Sequence, residues 1–383
     1  MPQLYFDHNA TTPLHPEVAD AMAACIRSGF GNPSSIHAAG REARGLIEDA
    51  REALARLLAA TPSEIVFTSG GTEADNLAIL GAAHSGKLPG PHLVVSSFEH
   101  PAVLEPFRHL ESEGREVTWV EPDGNGLIAP EAIEAALRPD TGLVSVMAAN
   151  NEVGTIQPVK AIGGLLRARG IPFHCDGVQA LGKLAETHPR EWGVDYLAIS
   201  AHKINGPKGV GALYVRKGAP LKGMTLGGPQ ERSFRGGTEN VLGILGFGKA
   251  AEVCLRDGAA ERIRLAGLRD ALEAALRSRL PDLIVNGTGA ERLPNTLNVT
   301  LPGCRSDMLV MGLDMRGVAV SAGSACASGS VKYSHVLLAM GKDKESAASS
   351  LRFSLGLGNA FEDIAPLAEK VAEVAASVRG LSG

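Results

Sequence analysis

The sequence predicts an α/β protein: a mostly parallel sheet covered by helices on both faces, joined to a smaller α+β unit. Three observations carry this. Between residues 65 and 215, short apolar runs alternate with amphipathic stretches, the pattern of strands buried on both faces and linked by crossover helices. Past Asn240 the alternation gives way to one long helical region and sparse strands. A chain of 383 residues also exceeds what one hydrophobic core ordinarily organises, so two domains are expected.

In order, residues 16–27 form a helix with Pro16 in its first turn and Gly29 beyond its end, the usual asymmetry of helix boundaries. Over 36–60, Ala43, Leu46, Ile47, Ala50, Leu54, Leu57 and Leu58 recur at helical spacing, predicting one long amphipathic helix. Strands are then expected at 65–68, 93–96, 117–120, 143–147, 172–175, 196–199 and 210–215. Helices are expected at 73–83, 102–113, 130–137, 159–169 and 178–184. Beyond 240 follow a helix to about residue 279, a strand at 296–300, a helix at 306–316, a loop of small residues at 321–330 and a helix from Phe361.

Composition excludes several classes. A hydrophobic fraction of 44% argues against disorder, and a net charge of −5 gives no basic field for nucleic acid. The five cysteines are odd in number and without paired spacing, which fits a reducing cytosol rather than a disulfide framework. No basic region followed by an apolar run opens the chain, and no stretch is long enough to span a bilayer. A soluble, cytoplasmic protein is expected.

The chemistry-bearing residues fall at strand exits, where open α/β sheets bind ligands. Ser200-Ala201-His202-Lys203 follows a buried strand. A lysine there suits a Schiff base, since an apolar setting favours its free amine; a solvated lysine is the competing reading. Gly70-Gly71-Thr72 opens a helix after a strand, which makes either a phosphate cradle at the helix N-terminus or a capped turn. His100 could stack on a planar ring or shuttle a proton as a catalytic residue, or simply precede a helix. Asp176 can pair with a protonated ring nitrogen and Gln179, three residues on, with a phenolic oxygen. A metal at His174-Cys175-Asp176 is disfavoured, because adjacent strand residues face opposite ways. Taken together these features describe a pyridoxal phosphate (PLP) site. Cys326 stands among Gly323, Ser324, Ala325, Ala327 and Ser328; no bulky neighbour can bury it, so either thiolate chemistry or a plain flexible turn is open to it. Arg352 could clamp a carboxylate bidentately or form a structural ion pair. The Gly236-Gly237-Thr238 stretch is a second candidate phosphate contact.

The stretches Asp7–Pro13, Gly70–Glu73, Glu99–Pro101, Asn150–Gly154, Asp176–Gln179, Ser200–Lys203 and Gly323–Cys326 resemble, across essentially the whole chain, the cysteine desulfurases of the NifS and IscS group within the class V aminotransferase superfamily. The resemblance implies a fold-type I PLP-dependent transferase. Its large PLP-binding domain would span residues 15–250. Its small domain, residues 1–14 and 251–383, would carry the catalytic cysteine loop at about 321–335. It also implies a homodimer and conversion of L-cysteine to L-alanine with sulfur held on Cys326 as a persulfide. Lys203 would hold the cofactor and remove the α-proton, and His100 would stack on the ring. Asp176 would meet the ring nitrogen and Gln179 the ring oxygen. Gly71, Thr72, Ser200 and His202 would bind phosphate, with Thr238 reaching in from the neighbouring subunit. Asn151, which would also contact the cofactor, and Arg352 would hold the substrate carboxylate. A sulfur-acceptor protein is implied, serving iron–sulfur cluster assembly or other thiolation; no metal is. A selenocysteine lyase and a class V aminotransferase are the rival readings. Ala327 replaces a frequent threonine, and the chain ends on Leu381-Ser382-Gly383 soon after its last helix, which puts the usual scaffold docking in doubt.

Overall fold

The computed structural model describes residues 4–28, 30–322 and 333–381. Its strands are β1 (Leu4–Tyr5), β2 (Ile65–Thr68), β3 (His92–Ser96), β4 (Val117–Val120), β5 (Thr141–Ser145), β6 (Phe173–Asp176), β7 (Tyr196–Ser200), β8 (Gly211–Val215), β9 (Ile284–Val285), β10 (Thr296–Thr300), β11 (Val318–Ala319) and β12 (Ser350–Ser354). Seven of them form one sheet in the order β2-β8-β7-β6-β5-β3-β4. All neighbours are parallel except β8, which runs against both β2 and β7. The carboxyl ends of β2, β3, β5, β6 and β7 therefore share one edge. The order of strands reverses between β3 and β5, which is where such sheets open a crevice.

Period-two side-chain alternation sorts the strand residues into two cores. Phe67, Val94, Val144, Leu197 and Ile199 face the core that includes the helix Ala38–Leu57. Val66, Leu93, Val95, Tyr196 and Ala198 face the one that includes the helix Gly71–Ala83. A separate core gathers Phe6, Leu297, Val299, Leu351 and Phe353 around the antiparallel sheet β12-β10-β9. The 39-residue helix Val241–Arg279 serves both regions. Phe247 and Ala250 lie in the first core, and Leu265, Leu268 and Leu272 in the separate one.

The expected strands and long helices appear, with one exception. Residues 178–184 form successive turns rather than a helix. Gly182 takes φ 73°, a left-handed conformation that ends helical propagation. The two-residue strands β1, β9 and β11 and the short helices Pro189–Trp192, His335–Ala339 and Lys344–Ala348 carry too few residues to show a period. Among the described residues no helix is long and apolar enough to cross a membrane.

One buried pair fixes a loop that later matters. Arg51 donates to both carboxylate oxygens of Glu231, at 2.8 and 2.7 Å, and Glu231 also accepts from the Phe67 amide at 2.8 Å. This holds Glu231, Arg232 and Ser233 at φ 43°, 56° and 65°, a left-handed run that non-glycine residues adopt only when the surroundings over-determine it. Glu231→Ala removes the only buried acid from the Arg51 guanidinium among the described residues, leaving it the exposed Glu48 at 3.1 Å. A loss of about 3–5 kcal/mol in urea unfolding is expected; a loss under about 1 kcal/mol, the range of exposed pairs, would show that the pair is not a buried one.

Candidate active site

Gly211 separates two loops at the sheet edge, where Thr68 and Ser200 flank it across the ladder. A Cβ at this position would meet the Gly70 backbone at 2.6 Å and the Ile199 carbonyl at 2.7 Å, so only glycine lets the loops approach this closely. The result is a cleft of about 390 Å³ that brings together Gly71, Thr72, Ser200, His202, Thr11 and Lys208. The helix Gly71–Ala83 begins here without a side-chain cap, so its first amides and positive end face the cleft. At Gly71 a Cβ would press on Val178 Cγ2 at 2.7 Å. Ser200 Oγ is buried with no hydrogen-bond partner among the described residues, an unmade bond that an oxygen-rich ligand would complete. Beside the cleft, Glu73 accepts from the Ser69 amide at 2.8 Å and from Arg235 Nε at 2.9 Å. It is thus tied to the loop that Arg51 and Glu231 anchor.

Asp176 ends β6 and accepts from the Val178 amide at 2.8 Å. Burial pushes it up to about 6, opposed by that N–H and by the Lys203 charge. Behind it lies a second layer of buried groups. Glu99, pushed up to about 8 by burial, accepts from Ser96 Oγ and from the Met147 amide. Asp75 is raised by burial and by its acidic neighbours Asp176 and Glu99, and stands 3.3 Å from His174 Nε2. Burial pulls His174 down to about 3, and its Nδ1 meets Ser145 Oγ at 2.8 Å. Asp176, at about 6, is ionised at neutral pH, whereas Glu99, at about 8, is not.

His100 caps the helix Pro101–Ser112, its Nδ1 accepting the Ala102 amide at 3.1 Å, which leaves the proton of the neutral ring on Nε2. The residue is exposed on one side. The protein packed around the rest, with the Lys203 and His335 charges, pulls it down to about 4. His202 is likewise pulled to about 4, by burial and then by the Lys203, Lys208 and Lys183 charges, and its Nδ1 lies 3.2 Å from Thr11 Oγ1. Both rings are neutral at pH 7.

The Lys203 Nζ donates to the carbonyls of Asn9 at 2.6 Å and Ala10 at 2.8 Å. Burial and the Arg352 charge lower it to about 8, against the pull of Asp176 and Asp7. The sign follows directly: the reactive form is the free amine, so its fraction falls tenfold per unit below about pH 8 and levels off above it. The rate at which cofactor-stripped protein takes up PLP is expected to follow that curve. A rate still climbing toward pH 10.5, as for an ordinary lysine, would contradict the lowered value.

Gln179 donates from Nε2 to the Asn9 carbonyl at 3.0 Å. Arg352 is buried; it donates from Nη1 to the Asn151 carbonyl at 3.0 Å and from Nη2 to Asp7 Oδ1 at 2.6 Å, while its Nε has no partner among the described residues. The ion-pair alternative for this arginine is therefore realised, with Nε left over. Thr238 is exposed and does not line the cleft. Cys326 lies outside the described residues. Sequence reasoning passed over Asn9, which the Asp7–Pro13 stretch presented only as a turn, and Lys183. The signal for Lys183 was its place four residues after Gln179.

Residues 4–367 match the family described as aminotransferase class-V. The chain belongs to that family. Cysteine desulfurase IscS of Dictyoglomus turgidum is 46% identical to this class-V family member over 362 residues, covering 94% of the chain and 92% of the relative. Putative cysteine desulfurase IscS 1 of Bacillus subtilis is 44% identical, covering 98% and 99%. A solved NifS-like protein superposes with a TM-score of 0.91 at 37% identity, covering 98% of this chain and all of that one. Class-V aminotransferases of this kind depend on PLP. The residues present fit that cofactor: an uncapped helix start and a Ser200 Oγ without a partner among the described residues for a phosphate, a lowered amine for an aldehyde, and a buried acid for a pyridine nitrogen.

Proposed function

We infer that the protein is a PLP-dependent cysteine desulfurase, taking L-cysteine to L-alanine and passing the sulfur to Cys326 as a persulfide. The observation that carries the reading is the convergence of Lys203, with its lowered amine, on the edge that also holds Asp176 and the Ser200 cradle. When bound, PLP supplies an electron sink for the substrate's α-carbon. Gly71, Thr72, Ser200 and His202 would hold its phosphate, and His100 would cover the ring face. Asp176 would keep the ring nitrogen protonated and Gln179 would donate to the ring oxygen. Lys203 would carry the cofactor, and its Nζ would take the substrate's α-proton. Arg352, whose Nε has no partner among the described residues, and Asn151 would orient the substrate carboxylate. The Cys326 thiolate would then attack the substrate sulfur; an S–S bond forms as the C–S bond breaks, and that electron pair takes up a proton, equivalent to the one the Cys326 thiol lost on ionising, to make the methyl of alanine.

Residues 15–250 are taken as the cofactor-binding domain and 1–14 with 251–383 as the smaller one. The exposed Thr238 suits a homodimer in which each copy completes the other's phosphate site. The free state of Cys25, Cys175, Cys254 and Cys304 suits a reducing cytoplasm. A sulfur-acceptor protein in iron–sulfur or thiolation chemistry is the expected partner. The test is product analysis with L-cysteine: alanine and reductant-released sulfide in equal amounts support the reading. A keto acid would place the protein with the aminotransferases, and a strong kcat/KM preference for L-selenocysteine with the lyases.

A further inference from the structure

Lys183 has no part in the proposed chemistry, yet it is buried directly behind the site. Its Nζ donates to Gln179 Oε1 at 2.5 Å and to Asn9 Oδ1 at 3.2 Å. No carboxylate pairs with it among the described residues, and burial, reinforced by the Lys203 and Arg352 charges, drives it well below the ordinary lysine value. A lysine is therefore an unfavourable choice here on electrostatic grounds. What the position uses is donors. Two N–H groups meet two amide oxygens, and the neutral amine satisfies both as well as the ammonium does.

We propose that Lys183 is a positioning residue that locks the Gln179 and Asn9 amides into single orientations, turning the Gln179 NH2 toward the cofactor's ring oxygen. The inference rests on the PLP reading of this site. A glutamine amide can present either its oxygen or its NH2 by a simple flip. With Oε1 held by Lys183, the NH2 must face the other way. One of its hydrogens goes to the Asn9 carbonyl at 3.0 Å, and the second is free for the ring oxygen. Asn9 is fixed by the same lysine. Its Oδ1 accepts from Lys183 and from Asn295 Nδ2 at 3.0 Å, so its Nδ2 turns to Thr296 Oγ1 at 2.8 Å and the Asn151 carbonyl at 3.2 Å. The Asn9 carbonyl then receives both Gln179 and Lys203 Nζ. An apolar side chain at 183 would pack, but it would leave Gln179 free to aim its carbonyl at an anionic oxygen.

The readout is the pH midpoint of the bound cofactor's absorbance change in the holoenzyme, which reports the proton on the Lys203–cofactor linkage. A donor on the ring oxygen compensates that oxygen when the neighbouring proton leaves, so it favours the deprotonated form and lowers the midpoint. Losing the donor raises it. Lys183→Met is expected to shift the midpoint upward by about one unit, the scale of one hydrogen bond to a charged group. In a Gln179→Met background, Lys183→Met is expected to add nothing, as in any cycle where one residue acts through the other. Lys183→Gln serves where the methionine variant does not fold: its shift is smaller, of the same sign, and equally absent without Gln179. An unchanged midpoint in a folded variant overturns the proposal. So does a shift that persists undiminished in the Gln179→Met background, which would mean that the lysine acts by charge alone. Wild-type protein that shows no cofactor absorbance overturns the PLP reading itself, and the proposal with it.

Discussion

Lys203→Ala is expected to lower L-cysteine turnover by about 10³-fold or more, because one side chain both tethers the cofactor and moves the α-proton. The structure gives the reason no neighbour can replace it. Lys203 Nζ sits against the Asn9 and Ala10 carbonyls at the exit of β7. The Lys183 amine is engaged by Gln179 and Asn9, and Lys208 is exposed at the outer side of the phosphate cleft. The variant should still bind PLP non-covalently through the cradle, since Gly71, Thr72, Ser200 and His202 are untouched. Turnover within tenfold of wild type would remove Lys203 from the role.

Cys326→Ala is expected to abolish the enzyme persulfide while leaving cofactor content and absorbance unchanged. The two functions reside in different parts of the chain: the cofactor-holding groups lie at the exits of β2, β3, β6 and β7, whereas Cys326 belongs to the 321–335 stretch. Persulfide is read by mass on the intact protein after one turnover. Sulfur release at the wild-type rate from this variant would refute the nucleophile assignment. Loss of the cofactor spectrum would instead mean that Cys326 supports the cofactor site.

The architecture was legible because buried parallel strands are short, apolar and separated by helices of clear period. The strands from 65 to 215 needed nothing beyond that pattern. The cofactor-facing residues were legible for a related reason, since a strand exit followed by glycine, hydroxyl, histidine or lysine is a local signal. Residues acting across long separations were not. Asn9 meets Gln179, Lys183, Asn295 and Thr296 only in the folded chain. The Arg352 pair with Asp7 spans 345 positions. The turns at 178–184 were misread because Val178, Leu181 and Leu184 keep helical spacing while Gly182, at φ 73°, breaks the helix. The buried layer of Asp75, Glu99 and His174 was not legible as a layer, because the three residues come from separate stretches and meet only in the folded chain.

The account rests on one amine carrying the cofactor, and borohydride reduction of the holoenzyme followed by peptide mass mapping tests this most directly. The account predicts a single pyridoxyl adduct, on the peptide bearing Lys203. An adduct on Lys183 or Lys208, or purified protein that retains no cofactor to reduce, would contradict it.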